Sequence, residues 1–107
     1  MIAAELRDFV HLFNARKFFE AHETLEALWR REKGPERKFY QGLIQIAAAF
    51  VHFQKGTLSG GRKVLQSAEE NLENFRPSWK GLDVDKLLRG AKESLEQNLK
   101  PPQIHPL

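Results

Sequence analysis

The sequence predicts an all-α protein, a compact bundle of about five helices with short loops and the third helix at its centre. Three observations carry that expectation. Apolar residues recur at intervals of three and four almost throughout the 107 residues, which is the spacing of one helix face. The periodic segments are separated by brief breaks built on Gly, Pro, Asn and Asp. No segment keeps the period-two alternation of a half-buried strand.

Each element follows from its own residues. Ile2, Leu6, Phe9, Val10 and Phe13 line one face of a first helix that ends near Asn14. Asn suits a helix end because it tolerates a left-handed backbone and its amide can bond locally. A second helix covers about residues 18–32, with Phe18, Ala21, Leu25, Leu28 and Trp29 as its apolar stripe. Gly34 and Pro35 stop it and start the next, while Arg30, Arg31 and Lys33 complement its C-terminal dipole.

The third helix, about 36–55, is apolar over most of its circumference, from Phe39 and Tyr40 through Leu43, Ile44, Ile46 and Ala47 to Phe50 and Phe53. A helix of that kind belongs in the middle of a bundle. Gly56 ends it. Thr57 or Ser59 is the expected cap of a fourth helix running to about residue 75, with Val64, Leu65, Ala68, Leu72 and Phe75 inward. The stretch "RPSWKG" breaks the chain, and Asp83 should cap a fifth helix that turns Leu87, Leu88, Ala91, Leu95 and Leu99 inward. The Pro-rich end "KPPQIHPL" is expected to be an extended or disordered tail from about residue 100. The whole is expected to form one domain, residues 1–107.

Composition bounds the function. Cysteine is absent, which excludes a disulfide framework and a thiolate metal site and fits a reducing cytoplasm. Lys and Arg exceed Asp and Glu by 17 to 14, a net charge of +3 that falls short of a nucleic-acid footprint. The opening "MIAAELRDF" lacks the layout of a signal peptide, and "GLIQIAAAFV" is too short to span a bilayer. A cytoplasmic protein without a membrane partner is expected.

The residues that could carry chemistry fall on two helices. On the second, His22 and Glu26 lie one turn apart at the edge of the apolar stripe, with Glu23 further round and Phe19 on their other side. On the third, Gln41, Gln45 and His52 fall within about 40° of one another, with Ala48 between them. If the faces meet, His22 or His52 would be the acid or base of a hydrolytic or proton-transfer step, with Glu26 or Glu23 orienting it. Gln41, Gln45 and Trp29 would contact a ligand. Two His and one or two Glu could also hold a divalent metal, although the spacing fails two known patterns. The zinc-protease motif needs His where Glu26 stands, and the di-iron motif runs Glu then His, the reverse of "HETLE". The structural alternative is that Gln41, Gln45 and His52 are one solvated stripe and His22–Glu26 an ordinary i, i+4 pair.

Other features carry less. "GTLSGGRK" has two glycines at phosphate-loop spacing, but a helix precedes it and Lys-Ser/Thr is missing, so it is expected to be a helix-helix turn. Arg30, Arg31, Lys33, Arg37 and Lys38 form a basic cluster that could hold an anion. Trp29 and Trp79 are expected to be core anchors.

"FNARKFFEAHETLEALWR" followed by "KFYQGLIQIAAAFVHFQKG" resembles the small bacterial proteins grouped as domain of unknown function 309. The resemblance runs over about residues 13–72 and rests on HE-x-x-E before Trp and QGLIQ-x-A before His. It implies an all-helical fold and no assigned activity. Its motif residues map to Phe19, Glu20, His22, Glu23, Glu26, Trp29, Gln41, Gly42, Gln45, Ala48 and His52. Arg16 stands where the family pattern has Gly, and Thr57 where it has Asn. Two functional readings follow: a polar pocket between the second and third helices for a small molecule or metal, or a non-catalytic module for homo-oligomerisation or protein interaction.

Overall fold

A computed structural model describes residues 3–105, so Ile2 and the last two tail residues lie outside the described residues. The chain forms α1 (Ala4–Asn14), α2 (Phe18–Arg31), α3 (Arg37–Lys55), α4 (Leu58–Leu72) and α5 (Val84–Gln97). A 3-10 turn, Glu73–Phe75, extends α4, and a two-stranded hairpin, β1 (Ser78–Trp79) and β2 (Leu82–Asp83), leads into α5. The central element is α3, which packs against both α2 and α4, as its nearly continuous apolar surface requires.

Two packing devices hold α3 in place. On one side Phe13, Phe18 and Phe50 meet with ring centroids 4.9, 5.3 and 5.9 Å apart, joining α1, α2 and α3. All three rings are buried. On the other side glycines bring α4 close. A Cβ on Gly42 of α3 would lie 2.4 Å from Leu72 Cγ, and one on Gly61 of α4 would lie 2.9 Å from the Ala49 carbonyl oxygen. Gly60 and Gly61 sit inside α4, not in the expected turn, and their missing side chains are what let α4 lie this close to α3.

The ends of the helices are closed by named groups. Gly56 takes φ 79°, and the N–H groups of Gly56 and Thr57 return to the carbonyls of Phe53 and His52. Asp83 caps α5 as predicted, its Oδ1 accepting the Lys86 N–H at 3.0 Å. Thr57 precedes α4 without a side-chain capping bond; its hydroxyl turns back to the His52 carbonyl at 3.2 Å instead.

Three further expectations need correction. A strand pair exists, with Ser78 opposite Asp83 and Trp79 opposite Leu82. Its turn residues, Lys80 and Gly81, have φ 54° and 77°, the two left-handed conformations that a two-residue hairpin turn demands. Strands of two residues are too short to display an alternation. Trp79 is not a core anchor: it is 39% exposed, with its ring edge-on to Phe75 at 5.2 Å. Leu99 lies past the end of α5 and is 49% exposed, so it does not continue the buried stripe.

Asn14 stays helical, and the left-handed residue after α1 is Arg16, at φ 65°. The tail is extended but not loose. Ile104 is 3% exposed, and its backbone is bound by the Asn14 side chain.

Candidate functional site

The α2–α3 seam carries a groove of about 170 Å³ lined by Phe19, His22, Ala48, Val51, His52 and Lys55. It arises because α2 and α3 are joined by a short turn and run antiparallel, which places the start of α2 beside the end of α3. His22 projects from the flank of the stripe formed by Phe18, Ala21, Leu25 and Leu28. His52 projects from α3 one turn before Gly56. The two imidazoles, 30 residues apart in sequence, thus line one concavity.

Each ring has a distinct environment. The His22 ring is nearly parallel to Phe19, at 21° with centroids 6.0 Å apart, and Phe19 is 55% exposed. His22 Nε2 faces Glu26 Oε2 at 3.6 Å, beyond hydrogen-bond length. Its Nδ1 is sealed from solvent and has no hydrogen-bond partner within the protein. His52 Nδ1 lies 2.8 Å from Thr57 Oγ1, and that hydroxyl donates to the His52 carbonyl. These two contacts fix the His52 ring against the end of α3. Gly60 of α4 makes room for this ring, since a Cβ there would lie 3.0 Å from Nδ1.

The remaining candidates disperse. Glu26 accepts from Arg30 at 2.9 Å, so its charge is already matched one turn further along α2. Glu23 is exposed on the far flank of α2. Gln45 turns to α4, where its Oε1 accepts from Asn71 Nδ2 at 2.8 Å. Gln41 is half-buried and does not line the His22–His52 groove. Trp29 lies toward the other end of α2; the Arg37 guanidinium sits 4.0 Å over its indole, and Arg37 Nε donates to the Trp29 carbonyl at 3.2 Å. The indole Nε1 is buried without a partner. Among the described residues no three His, Asp or Glu side chains are grouped closely enough to hold a metal ion.

The basic cluster is also divided. Arg30 is held by Glu26, Arg31 by Glu5 at 2.6 Å, and Arg37 by Trp29. Lys55, which sequence reasoning passed over, is the cation that reaches the groove. Its signal was positional: it stands three residues after His52 and four after Val51 on the same helix.

Fold and groove together define the class: a small helical protein whose central helix shares a histidine-lined seam with its neighbour. The chain belongs to the family described as Domain of unknown function (DUF309), whose profile matches residues 6–64. It is similar to a conserved hypothetical protein of Thermus thermophilus known from a crystal structure, with a TM-score of 0.77 and 33% identity over 90% of this chain and 99% of that one. An uncharacterised protein of Aquifex aeolicus strain VF5 is 28% identical over 92% of this chain and 31% of its own length. The uncharacterised protein YpuF of Bacillus subtilis strain 168 is 30% identical over 84% of this chain and 54% of its own length. The chain thus spans about a third and about half of the lengths of these two relatives. Among the described residues no helix is long and apolar enough to cross a membrane.

Proposed function

We propose that the seam between α2 and α3 binds a small organic anion. The observation that carries this reading is that His22 and His52, from two helices, line one groove together with Lys55, while the carboxylate beside His22, Glu26, is matched by Arg30. The chemistry is favourable for a carboxylate or phosphate head. Lys55 supplies the full charge that an anionic head needs, and the two imidazole rings supply polar walls beside it. Phe19, Ala48 and Val51 offer an apolar wall for the rest of the molecule. A groove of about 170 Å³ is below the roughly 300–1,000 Å³ of drug-sized sites. At about 30 Å³ per water it holds the equivalent of five or six waters. A nucleotide or flavin is too large. In this reading Gln41, Gln45 and Trp29 support the helices and do not touch the ligand. A cytoplasmic location suits the absence of cysteine.

The test is a titration of the labelled protein with acetate, lactate and inorganic phosphate, following both imidazoles by NMR. Saturable shifts at His22 and His52 together, abolished by His52→Ala and by Lys55→Ala, are the expected result. Shifts that never saturate, or that persist unchanged in both variants, would sink the reading. Native mass spectrometry of the purified protein reports any retained ligand and the oligomeric state in one measurement. The interaction-module alternative gains little from the exposed aromatics. Phe19 and Trp79 lie near opposite ends of α3, a span of about 28 Å at 1.5 Å per residue, too far apart for one apolar patch.

A further inference from the structure

The seam between the C-terminal end of α1 and α5 holds residues 101–104 in extended form, and the way it holds them is specific. Asn14 exchanges two bonds with the backbone of Ile104: its Oδ1 accepts the N–H at 2.7 Å, and its Nδ2 donates to the carbonyl at 3.0 Å. A neighbouring strand would make the same exchange. Arg16 donates from one guanidinium nitrogen to the Pro102 carbonyl at 2.8 Å and from the other to the Pro101 carbonyl at 2.7 Å. Prolines offer carbonyls but no N–H, so an Arg fork meets their whole backbone demand. The Ile104 side chain is buried, while Gln103 between them is exposed. Pro102 rests on Gly90 of α5, where a Cβ would lie 2.7 Å away.

Arg16 reaches the tail from a left-handed backbone conformation that any Cβ disfavours. Its carbonyl is held in turn by Gln54 Nε2 of α3 at 3.1 Å. Strain held in place by neighbours, with the side chain directed at another segment, points to a role for that side chain. Backbone bonds for affinity, with a pocket for one side chain for selectivity, are the parts of a peptide-recognition site.

We propose that this seam is a docking surface for an extended Pro-Pro-x-aliphatic segment, filled in cis by the chain's own tail, and that its partner in trans is the same tail of a second copy. Every copy carries the one sequence seen to fit. The connector, residues 98–100, is exposed, and the bonds that tie Leu99 to Ser94 lie before Lys100, so a tail that turns outward at Lys100 uncovers only the seam itself. A reciprocal exchange replaces each contact with an identical one and gives a two-fold dimer. The tethered tail competes at millimolar effective concentration, so monomer prevails when dilute and exchange appears in concentrated protein.

Two full-length variants separate the halves of the contact. Ile104→Asp disables the tail and keeps the seam; Asn14→Ala disables the seam and keeps the tail. Sedimentation of each alone should give monomer, and the equimolar mixture should give a 1:1 heterodimer that grows with concentration. A mixture no more associated than its components overturns the proposal. The unmodified protein provides a second measurement that needs no variant. Excess synthetic hexapeptide KPPQIH should move the Ile104 methyl resonances toward their free-chain positions as it displaces the tail. Asn14→Ala should weaken peptide binding roughly tenfold or more, the scale of one or two lost hydrogen bonds. No displacement at any peptide concentration overturns the surface itself. Displacement by peptide without heterodimer formation overturns the second copy as the partner.

Discussion

His22 and Arg16 illustrate how little a residue's type says about its role before its neighbours are known. His22 has a carboxylate one turn away, yet its Nδ1 points into protein without a partner. Arg16 looks like a solvated turn residue, yet it spans 85 residues to the Pro101 carbonyl. Replacing Arg16 by Gly relieves a left-handed penalty of about 1–2 kcal/mol and removes two charge-assisted bonds worth about 1.5–3 kcal/mol each. Global stability should therefore fall by about 1–5 kcal/mol, while hydrogen exchange at the Ile104 N–H accelerates. Equal protection of that amide in Arg16→Gly would show that the guanidinium does not hold the tail. Tyr40 offers a second residue-scale test, because it is the protein's one tyrosine. Burial pushes its phenol above the ordinary value, against a smaller opposing effect of the Lys80 charge. The phenolate absorbance should rise with a midpoint above about 10, and Lys80→Met should move that midpoint higher still.

Among the elements, α3 and α4 are set by what their glycines permit. In an isolated helix Gly→Ala gains up to about 1 kcal/mol from propensity. Here the added Cβ meets Leu72 at Gly42 and a backbone carbonyl at Gly61. Overpacking of that kind costs about 1–3 kcal/mol, so both substitutions should destabilise, and Gly61→Ala more because a carbonyl cannot rotate away. Urea midpoints that rise in either variant would contradict the close approach. The cap of α5 gives a smaller effect: Asp83→Ala should cost about 1 kcal/mol through loss of the Lys86 N–H bond. The hairpin is pinned from both sides, by Arg76 to Asp85 and by Lys80 to Glu36 at 3.1 Å. These contacts fix a segment whose own two-residue strands could not hold it.

For the whole molecule, pH should bound stability at both ends. The hydrogen bond from Arg31 holds the Glu5 carboxyl below its ordinary value. Its contribution is present above that ordinary value, 4.5, and is lost as pH falls through the lower folded one. The hydrogen bond to Glu36 holds the Lys80 ammonium above its ordinary value of 10.5. That contribution is present below 10.5 and is lost as pH rises through the higher folded value. Thermal melts should plateau between these limits, and Glu5→Gln should flatten the acidic limb only. A curve for Glu5→Gln that still follows the unmodified protein below pH 4.5 would remove this assignment.

The helices and most of the core were legible in the sequence because burial writes a period of three and four into the chain. Phe9, Phe13, Leu25, Phe50 and Leu95 are buried where that period puts them. The cap at Asp83 was legible too, since its chemistry is local. The groove was legible in part: helical arithmetic put His22 and His52 on polar edges of two helices, and it could not say whether those edges meet. The same arithmetic grouped Gln45 with His52, and the approach of α4 separated them by giving Gln45 a partner in Asn71. Arg16 and the tail were illegible because their partners lie 85 to 90 residues away in sequence, while Trp79 and Leu99 were misread locally, in a two-residue hairpin and just past the left-handed Asn98 that ends α5. Periodicity records which face of a helix is buried, and so the sequence by itself determined an all-α bundle centred on α3. Which neighbour covers each face depends on distances between segments, and so only the tertiary structure decided that His22 and His52 share a groove and that the Pro-rich end is bound.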